Sequence, residues 1–251
     1  MAVYRADLHI HTALSPCAAE EMTPPAIVAA ALEAGLQLIA VTDHNSAGNT
    51  AAVQEAARGS GLTVLAGMEV QTCEDVHLVC LFDTPVTALA WQEEVYHHLP
   101  AGTNREEYFG PQVLMDACGR ELSRETRLLL GSIDLGVEEV IRRVNGRGGI
   151  VLPAHVDRPS YSLVANLGVI PPALPVPALE LGLLSPAAAR QKFPALAGWP
   201  LVAASDAHYL GDIGRRVTEY DLEVVTLTTL TRALQQQQFK VVIDAAGSNL
   251  R

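Results

Sequence analysis

Residues 7–11 read Asp7-Leu8-His9-Ile10-His11. With Val3 upstream, Leu8 and Ile10 mark an apolar strand, and on a strand residues two apart point to the same side. His9 and His11 therefore aim two imidazoles at one point, and the chain then opens into the loop Thr12-Ala13-Leu14-Ser15-Pro16-Cys17. Two imidazoles converging at the start of a loop have the form of half a metal site. The plainer alternative is one satisfied core histidine and one exposed histidine, and the rest of the chain decides between them.

Beyond this stretch, strand and helix signals alternate. Thr23-Pro24-Pro25 opens a helix, with Thr23 as N-cap and proline in the first turn, and Gly35 closes it. Residues 36–41 read as a buried strand that delivers Thr42-Asp43-His44-Asn45, and a second helix follows over 47–58. The strand over 62–66 ends at Gly67-Met68-Glu69-Val70, and the strand over 76–82 carries His77 near its start. After a helix over 137–145, strand 150–153 ends at Ala154-His155, strand 178–181 carries Glu180, and strand 201–204 ends at Ser205-Asp206-Ala207-His208. The tail adds strand 217–222, helix 228–237 and strand 239–243.

Such alternation implies an α/β fold with a parallel sheet and crossover helices. With about seven or eight strands, a barrel related to the (β/α)₈ type fits better than an open sheet. Residues 84–136 break the pattern, with a helix over 91–99, a polar loop over 102–110 and one or two further helices over 111–130. This segment is expected to be a helical insertion, without strands, in a single domain that occupies residues 1–251.

The bulk numbers bound the function classes. Apolar residues make up 49% of 251, ample for a packed core. A formal net charge of -11 argues against binding anionic membranes or extended nucleic acid through an overall field. It leaves an anionic substrate open, because bound divalent cations make one pocket locally positive. The N-terminus runs into a strand without a signal peptide. The most apolar stretch, 26–41, is interrupted by Glu33, Gly35 and Gln37, so no membrane span is expected. Cys17, Cys73, Cys80 and Cys118 form no C-x-x-C pair and read as reduced thiols of a cytoplasmic protein. Oligomeric state leaves no signal.

On this reading His9, His11, Asp43, His44, Glu69, His155, Asp206 and His208 all fall at or just past the C-terminal end of a strand, the face where parallel barrels build active sites. His77 is the exception, at a strand start. His97 and His98, adjacent in a polar helix, are expected to be solvated. Asp206-Ala207-His208 repeats the geometry of the first pair, and Glu69 can bridge two cations through its two oxygens. Histidines mixed with carboxylates suit Zn, Mn or Fe rather than Ca or Mg alone. A metal held this way lowers the pKa of a water toward neutrality and stabilises developing charge. The reaction class that fits best is hydrolysis of a phosphate ester.

Taken together, residues 7–12, Thr42-Asp43-His44-Asn45, Gly67-Met68-Glu69, Ala154-His155 and Ser205-Asp206-Ala207-His208 resemble the PHP family, named for polymerase and histidinol phosphatase. The resemblance covers the chain apart from 84–136. It implies a distorted (β/α)₇ barrel, TIM-like, with two or three divalent transition metals. One metal would be held by His9, His11, Glu69 and Asp206, a second by Glu69, His77 and His155. A third would take His44, His208 and the residue six positions after His11. That residue is Cys17, where the family has histidine; thiolate is an acceptable ligand for zinc or iron, and Glu20 or Glu21 could serve instead. Family members carry an arginine shortly after the histidine matching His155. Arg158 takes that place, so it is expected to bind a substrate phosphate, with Arg215 and Arg216 as weaker candidates. Asp43, next to a ligand, is expected to hydrogen-bond a ligand residue or move a proton. Glu180 is expected either beside a ligand or in a structural role.

The resemblance implies a metal-dependent phosphoesterase acting on a small phosphomonoester, similar to histidinol phosphate or a nucleotide. Two alternatives compete. Some PHP domains are non-catalytic modules of larger polymerases, but these often lose ligands that this chain keeps. Other metal barrels hydrolyse amides, often with a carbamylated lysine, and Lys192 and Lys240 lie at no expected strand end.

Overall fold

The first strand, β1 (Ala2–Ile10), runs through a curled seven-stranded sheet. The structure is a computed structural model and describes residues 2–171 and 173–243. After β1 come α1 (Pro24–Glu33), β2 (Leu38–Val41), α2 (Thr50–Ala56), β3 (Thr63–Gln71), β4 (His77–Phe82) and α3 (Pro85–His98). Then follow α4 (Glu106–Phe109), β5 (Val113–Met115), β6 (Glu121–Arg124), α5 (Val137–Gly146), β7 (Ile150–Pro153), α6 (Leu163–Leu167), β8 (Leu179–Leu181) and α7 (Pro186–Lys192). The chain ends with β9 (Leu201–Ala203), β10 (Arg216–Leu222), α8 (Leu227–Gln235) and β11 (Phe239–Ile243).

The sheet order is β11-β10-β1-β2-β3-β4-β7. β1, β2 and β3 are parallel, but β4 runs antiparallel to both β3 and β7, and β10 antiparallel to both β1 and β11. The sheet is therefore mixed and not the parallel sheet expected from the alternation; its curled half-barrel is consistent with the distorted, TIM-like barrel that the resemblance implies. The reason at β3–β4 is local. Residues 72–76 make a tight turn, closed by Thr72 N–H to the Val76 carbonyl at 2.9 Å. So short a connection cannot carry the crossover that a parallel pair needs, and a hairpin results. This also accounts for the misplaced His77: in an antiparallel hairpin the start of β4 lies beside the end of β3, with His77 opposite Gln71.

β8 and β9 form a separate parallel pair. Val156 N–H donates to the Glu180 carbonyl at 2.8 Å, tying β8 to the end of β7. Ala207 N–H donates to the His9 carbonyl at 3.1 Å and His11 N–H to the Ala207 carbonyl at 3.0 Å, tying the chain after β9 to the end of β1. The pair thus spans the gap between the two sides of the curl.

Three apolar clusters cover the sheet. On one side Ile27 and Ala31 of α1 and Val53 of α2 pack on Ile39, Val41 and Val64. On another, Trp91 and Val95 of α3 and Val140 and Val144 of α5 pack on Met68, Leu78 and Cys80. Leu230 and Leu234 of α8 close the third over Leu8, Leu38, Val79 and Leu152. Each such side chain contributes about 1.5–3 kcal/mol on full burial. The β1–β2 register slips between Asp7 and Ile10, so Leu8 and Ile10 belong to different clusters.

Residues 84–136 are not all helical. α3 holds as a helix, but 111–130 folds as the antiparallel hairpin β5–β6, where helices were expected. Its turn is set by Asp116, whose Oδ1 accepts from Cys118 N–H and Arg120 N–H, both at 2.9 Å, and by Gly119 at φ 78°. Asp and Gly at these positions favour a turn over a continuing helix. Asn49 fixes the hairpin to the body by donating to the Val113 carbonyl and accepting from Met115 N–H, each at 2.9 Å. All four cysteines are free thiols. Among the described residues no helix is long and apolar enough to cross a membrane.

Candidate metal centre

Six strands bring residues to one buried cluster. His9 closes β1 and His11 follows it. His44 follows β2, where a lone parallel bridge to Glu69 and the bond from Asn45 N–H to the Glu69 carbonyl at 2.8 Å continue the pairing with β3. Glu69 lies within β3, which runs longer than its apolar pattern suggests, and His77 opens β4. His155 follows β7, and Asp206 and His208 follow β9. Glu69 is the hub. Its Oε1 lies 3.2 Å from His9 Nε2, 2.9 Å from His77 Nδ1 and 3.3 Å from His155 Nε2. Its Oε2 lies 3.1 Å from His44 Nδ1 and 3.5 Å from His11 Nε2. Asp206 Oδ1 faces His9 Nε2 at 3.3 Å and His11 Nε2 at 3.1 Å.

Ligand atoms of His9, His11, Glu69 and Asp206 lie within 4.8 Å of one another, as do those of His44, Glu69 and His77, and those of His11, His44 and His208. Four of the buried atoms here, His9 Nε2, Glu69 Oε1, His77 Nδ1 and His155 Nδ1, make no hydrogen bond. Buried polar atoms are normally paired, so lone-pair atoms crowded together and unpaired fit a cation among them. The family and this cluster suggest divalent metal binding.

The charges are balanced to favour that. Burial holds the imidazole of His11 down to about 4, and that of His44 well below its ordinary value, so both offer neutral nitrogens. Burial also opposes charge on His9, but Glu180, Glu69 and Asp206 outweigh it and keep the ring protonated well above its ordinary range. Against the same burial, the imidazoles of His77, His9 and His44 hold Glu69 well below the carboxylate range, and His9 and His11 do so for Asp206. The same carboxylates, Glu69 and Asp206, would attract a cation held between them and the imidazoles.

The ligand residues are held from behind. Glu180 Oε1 accepts from His9 Nδ1 at 2.9 Å. Asp43 does not line the cleft; it accepts from Thr12 N–H, Thr12 Oγ1 and Ser15 Oγ, each at 2.7 Å. Ser15 Oγ in turn meets His11 Nδ1 at 2.9 Å. Asp43 therefore organises the loop that orients His11. Asp157, which sequence reasoning missed, accepts from the N–H groups of Gly182, Leu183 and Leu184 and fixes the loop after β8.

His44, Glu69, His77, His155, Asp206 and His208 open onto a cleft of about 110 Å³, whose remaining lining is Arg158, Ser160 and Tyr161. Arg158 Nη1 donates to Asp206 Oδ2 at 2.5 Å. Ser160 and Tyr161 were not expected; the only signal was their place just after Arg158. His155, Tyr161 and Asp206 all hold positive φ (32°, 55° and 52°), strain that concentrates at functional sites.

Four of the expected site residues, Cys17, His155, Arg215 and Arg216, lie outside the three ligand groups. Cys17 is exposed and belongs to none of the ligand groups; His11 stands with His44 and His208 where Cys17 was expected. Desolvation by the surrounding protein, then the charge of Glu69, pushes its thiol up to about 12. His155 Nε2 and His77 Nδ1 both face Glu69 Oε1, at 3.3 and 2.9 Å, while the atoms of His44, Glu69 and His77 form the tighter group. Arg215 pairs with Asp212 at 2.6 Å, largely exposed, and Arg216 donates to the carbonyls of Leu183 and Leu184, so neither lines the cleft. As expected, His97 lies apart on the exposed face of α3, while His98 pairs with Asp134.

Comparison with known proteins places this geometry. The model of the PHP domain matches residues 7–134, and that of the PHP-associated region residues 190–239. The uncharacterised protein YqxK of Bacillus subtilis (strain 168) is 24% identical over 263 residues, covering 96% of this chain and 64% of its own length. The lesion-specific endonuclease PfuEndoQ of Pyrococcus furiosus superposes with a TM-score of 0.71 at 21% identity, over 96% of this chain and 58% of its own. A candidate metal-dependent phosphoesterase of Bifidobacterium adolescentis superposes with a TM-score of 0.54 at 20% identity, over 81% of this chain and 87% of its own. The chain spans less than two thirds of the length of YqxK and PfuEndoQ. A second endonuclease Q structure, with a TM-score of 0.70 at 20% identity over 94% of this chain and 57% of its own, holds a 27-mer duplex with an abasic lesion at the active site. This overturns the expectation, drawn from net charge, that extended nucleic acid is no partner. Net charge sums a whole surface, whereas binding is decided by the local field at a cleft.

Proposed function

Since the chain belongs to the PHP domain family, we propose that it is a metal-dependent phosphoesterase, hydrolysing a phosphate ester seated between the histidine-carboxylate cluster and Arg158. The observation that carries this is Glu69, one buried carboxylate within 3.5 Å of imidazole nitrogens from His9, His11, His44, His77 and His155. Two or three divalent transition ions of Zn, Mn or Fe, when bound, supply a water of lowered pKa and polarise the phosphate oxygens. The protein's own groups do the rest. Neutral His11 and His44 offer lone pairs, Glu180 fixes the ring of His9, and Asp43 with Ser15 fixes that of His11. Arg158 turns from Asp206 toward a phosphate, which its guanidinium can hold through two parallel hydrogen bonds.

The cleft, about 110 Å³, is well below the ~300 Å³ at which pockets for whole drug-sized ligands begin. It suits a phosphate group, with the rest of the substrate over the rim. A small phosphomonoester, similar to histidinol phosphate or a nucleotide, fits that description. So does a phosphodiester of nucleic acid, a second reading favoured by the likeness to endonuclease Q.

The test is to purify the protein, measure its metals, and screen phosphomonoesters and a DNA phosphodiester with Mn, Zn and Fe. Turnover abolished by His9→Ala and Asp206→Ala is expected; turnover that survives both unchanged removes the assignment.

A further inference from the structure

Among the described residues the exposed aromatic side chains are Tyr108, Phe109, Tyr161 and Tyr209. Single exposed apolar residues are ordinary, but one of these four belongs to the cleft. Tyr161 lines it. Tyr209 directly follows His208. Phe109 precedes Gly110, which is so close to Pro16 in the loop after His11 that a Cβ there would lie 2.4 Å from the Pro16 carbonyl oxygen.

Tyr161 is held in a way its neighbours do not require. Its ring lies against His77 at 4.8 Å between centroids, with planes 22° apart, yet the residue is 46% exposed. Its backbone sits at φ 55°, unfavourable for a bulky side chain. That conformation is pinned from both sides: His77 N–H donates to the Tyr161 carbonyl at 3.0 Å, and Ser162 Oγ donates to the Arg158 carbonyl at 2.8 Å. One compact turn therefore carries His155 in the cluster, Arg158 three residues on, and an open aromatic face three residues beyond that. The cleft has room for a phosphate and little else, so whatever the phosphate is attached to lies over this face.

We propose that Tyr161 determines specificity by stacking a nucleobase joined to the phosphate ester that Arg158 holds. This rests on the phosphoesterase reading and narrows its substrates to those carrying a planar ring. Aromatic stacking suits any base, because each presents a π-face.

Equilibrium binding by calorimetry separates this from a structural role, with adenosine monophosphate (5′ and 3′) and ribose 5-phosphate as probes. The wild-type protein is expected to bind at least one adenosine monophosphate more tightly than ribose 5-phosphate. Tyr161→Ala should weaken the adenosine ligand by ~5- to 150-fold and leave ribose 5-phosphate within about twofold. Tyr161→Phe should restore the ring preference. Equal weakening of both ligands would reassign Tyr161 to supporting His77. A wild-type protein that shows no ring preference, or binds neither probe, overturns the proposal too. The phosphoesterase reading stands or falls separately, on turnover in the wider substrate screen.

Discussion

Glu180 Oε1 stands 2.9 Å from His9 Nδ1, on the edge of the ring opposite the nitrogen that faces Glu69 and Asp206. The carboxylate fixes the direction of an imidazole whose other nitrogen faces the candidate cation site. Partners of this kind typically alter metal affinity ~10- to 100-fold. Glu180→Gln preserves volume but removes the charge, so it should weaken zinc or manganese retention by that order in a chelator competition. Affinity equal to wild type would show that His9 is oriented by packing alone.

Arg158 is paired with Asp206 at 2.5 Å and lines the cleft. Hydrogen bonds to charged groups contribute about 1.5–3 kcal/mol, so Arg158→Ala should lower kcat/KM by ~10- to 150-fold, mostly through KM. Metal content should stay at the wild-type level. Arg158→Lys should recover only part of the loss, because an ammonium cannot make the two-pronged contact. Steady-state kinetics alongside elemental analysis decides it; lost metal would mean that Arg158 supports Asp206 instead.

Asp7 is fully buried, and burial pushes its carboxyl up to about 6, against hydrogen bonds from Ser205 N–H at 3.0 Å and Gly214 N–H at 2.9 Å. In the unfolded chain it titrates near 3.8. Between those values the folded state binds the proton more tightly, so its stabilising share is full below pH 4 and falls away as pH rises toward 6. The full swing is about 3 kcal/mol. Denaturant melts of Asp7→Asn from pH 4 to 7 should lack this decline. A slope identical to wild type would assign the pH dependence elsewhere.

Gly182 has an ordinary φ, yet a Cβ on it would lie 2.7 Å from His155 Cβ and 3.0 Å from Arg158 Nε. Gly182→Ala should therefore displace a cluster histidine and the phosphate-facing arginine at once. Overpacking of this sort costs ~1–3 kcal/mol, and the expected result is a cooperative melt at a lower midpoint with a larger proportional loss of turnover. Turnover preserved at wild-type levels would mean that the loop after β8 shifts freely.

The sequence made the cluster legible because its residues sit at strand ends, where period-two patterning is strongest: His9 with His11, and Asp206 with His208. The strands expected over 150–153 and 239–243 match β7 and β11, each a short apolar run. Strand direction was not legible. Nothing in the apolar pattern of His77–Phe82 says which way β4 runs; only the shortness of 72–76 does. The hairpin β5–β6 escaped because four of its exposed residues, Glu121–Arg124, carry no alternating apolar face. Arg215 was placed by chain proximity to ligands, and proximity along the chain does not fix where a loop side chain points; Cys17 was placed by its match to a family position that holds histidine.

The bonds between Ala207 and the backbone at His9 and His11 join segments almost two hundred residues apart. During synthesis on the ribosome, His9 and His11 leave the exit tunnel long before Asp206 exists. Early fragments hold His9, His11, His44, Glu69 and His77 but lack the carboxylate of Asp206 and the imidazole of His208. On the proposed reading, the group formed by His9, His11, Glu69 and Asp206 is complete only once the segment through Asp206 has been made, whereas that of His44, Glu69 and His77 is complete much earlier in synthesis.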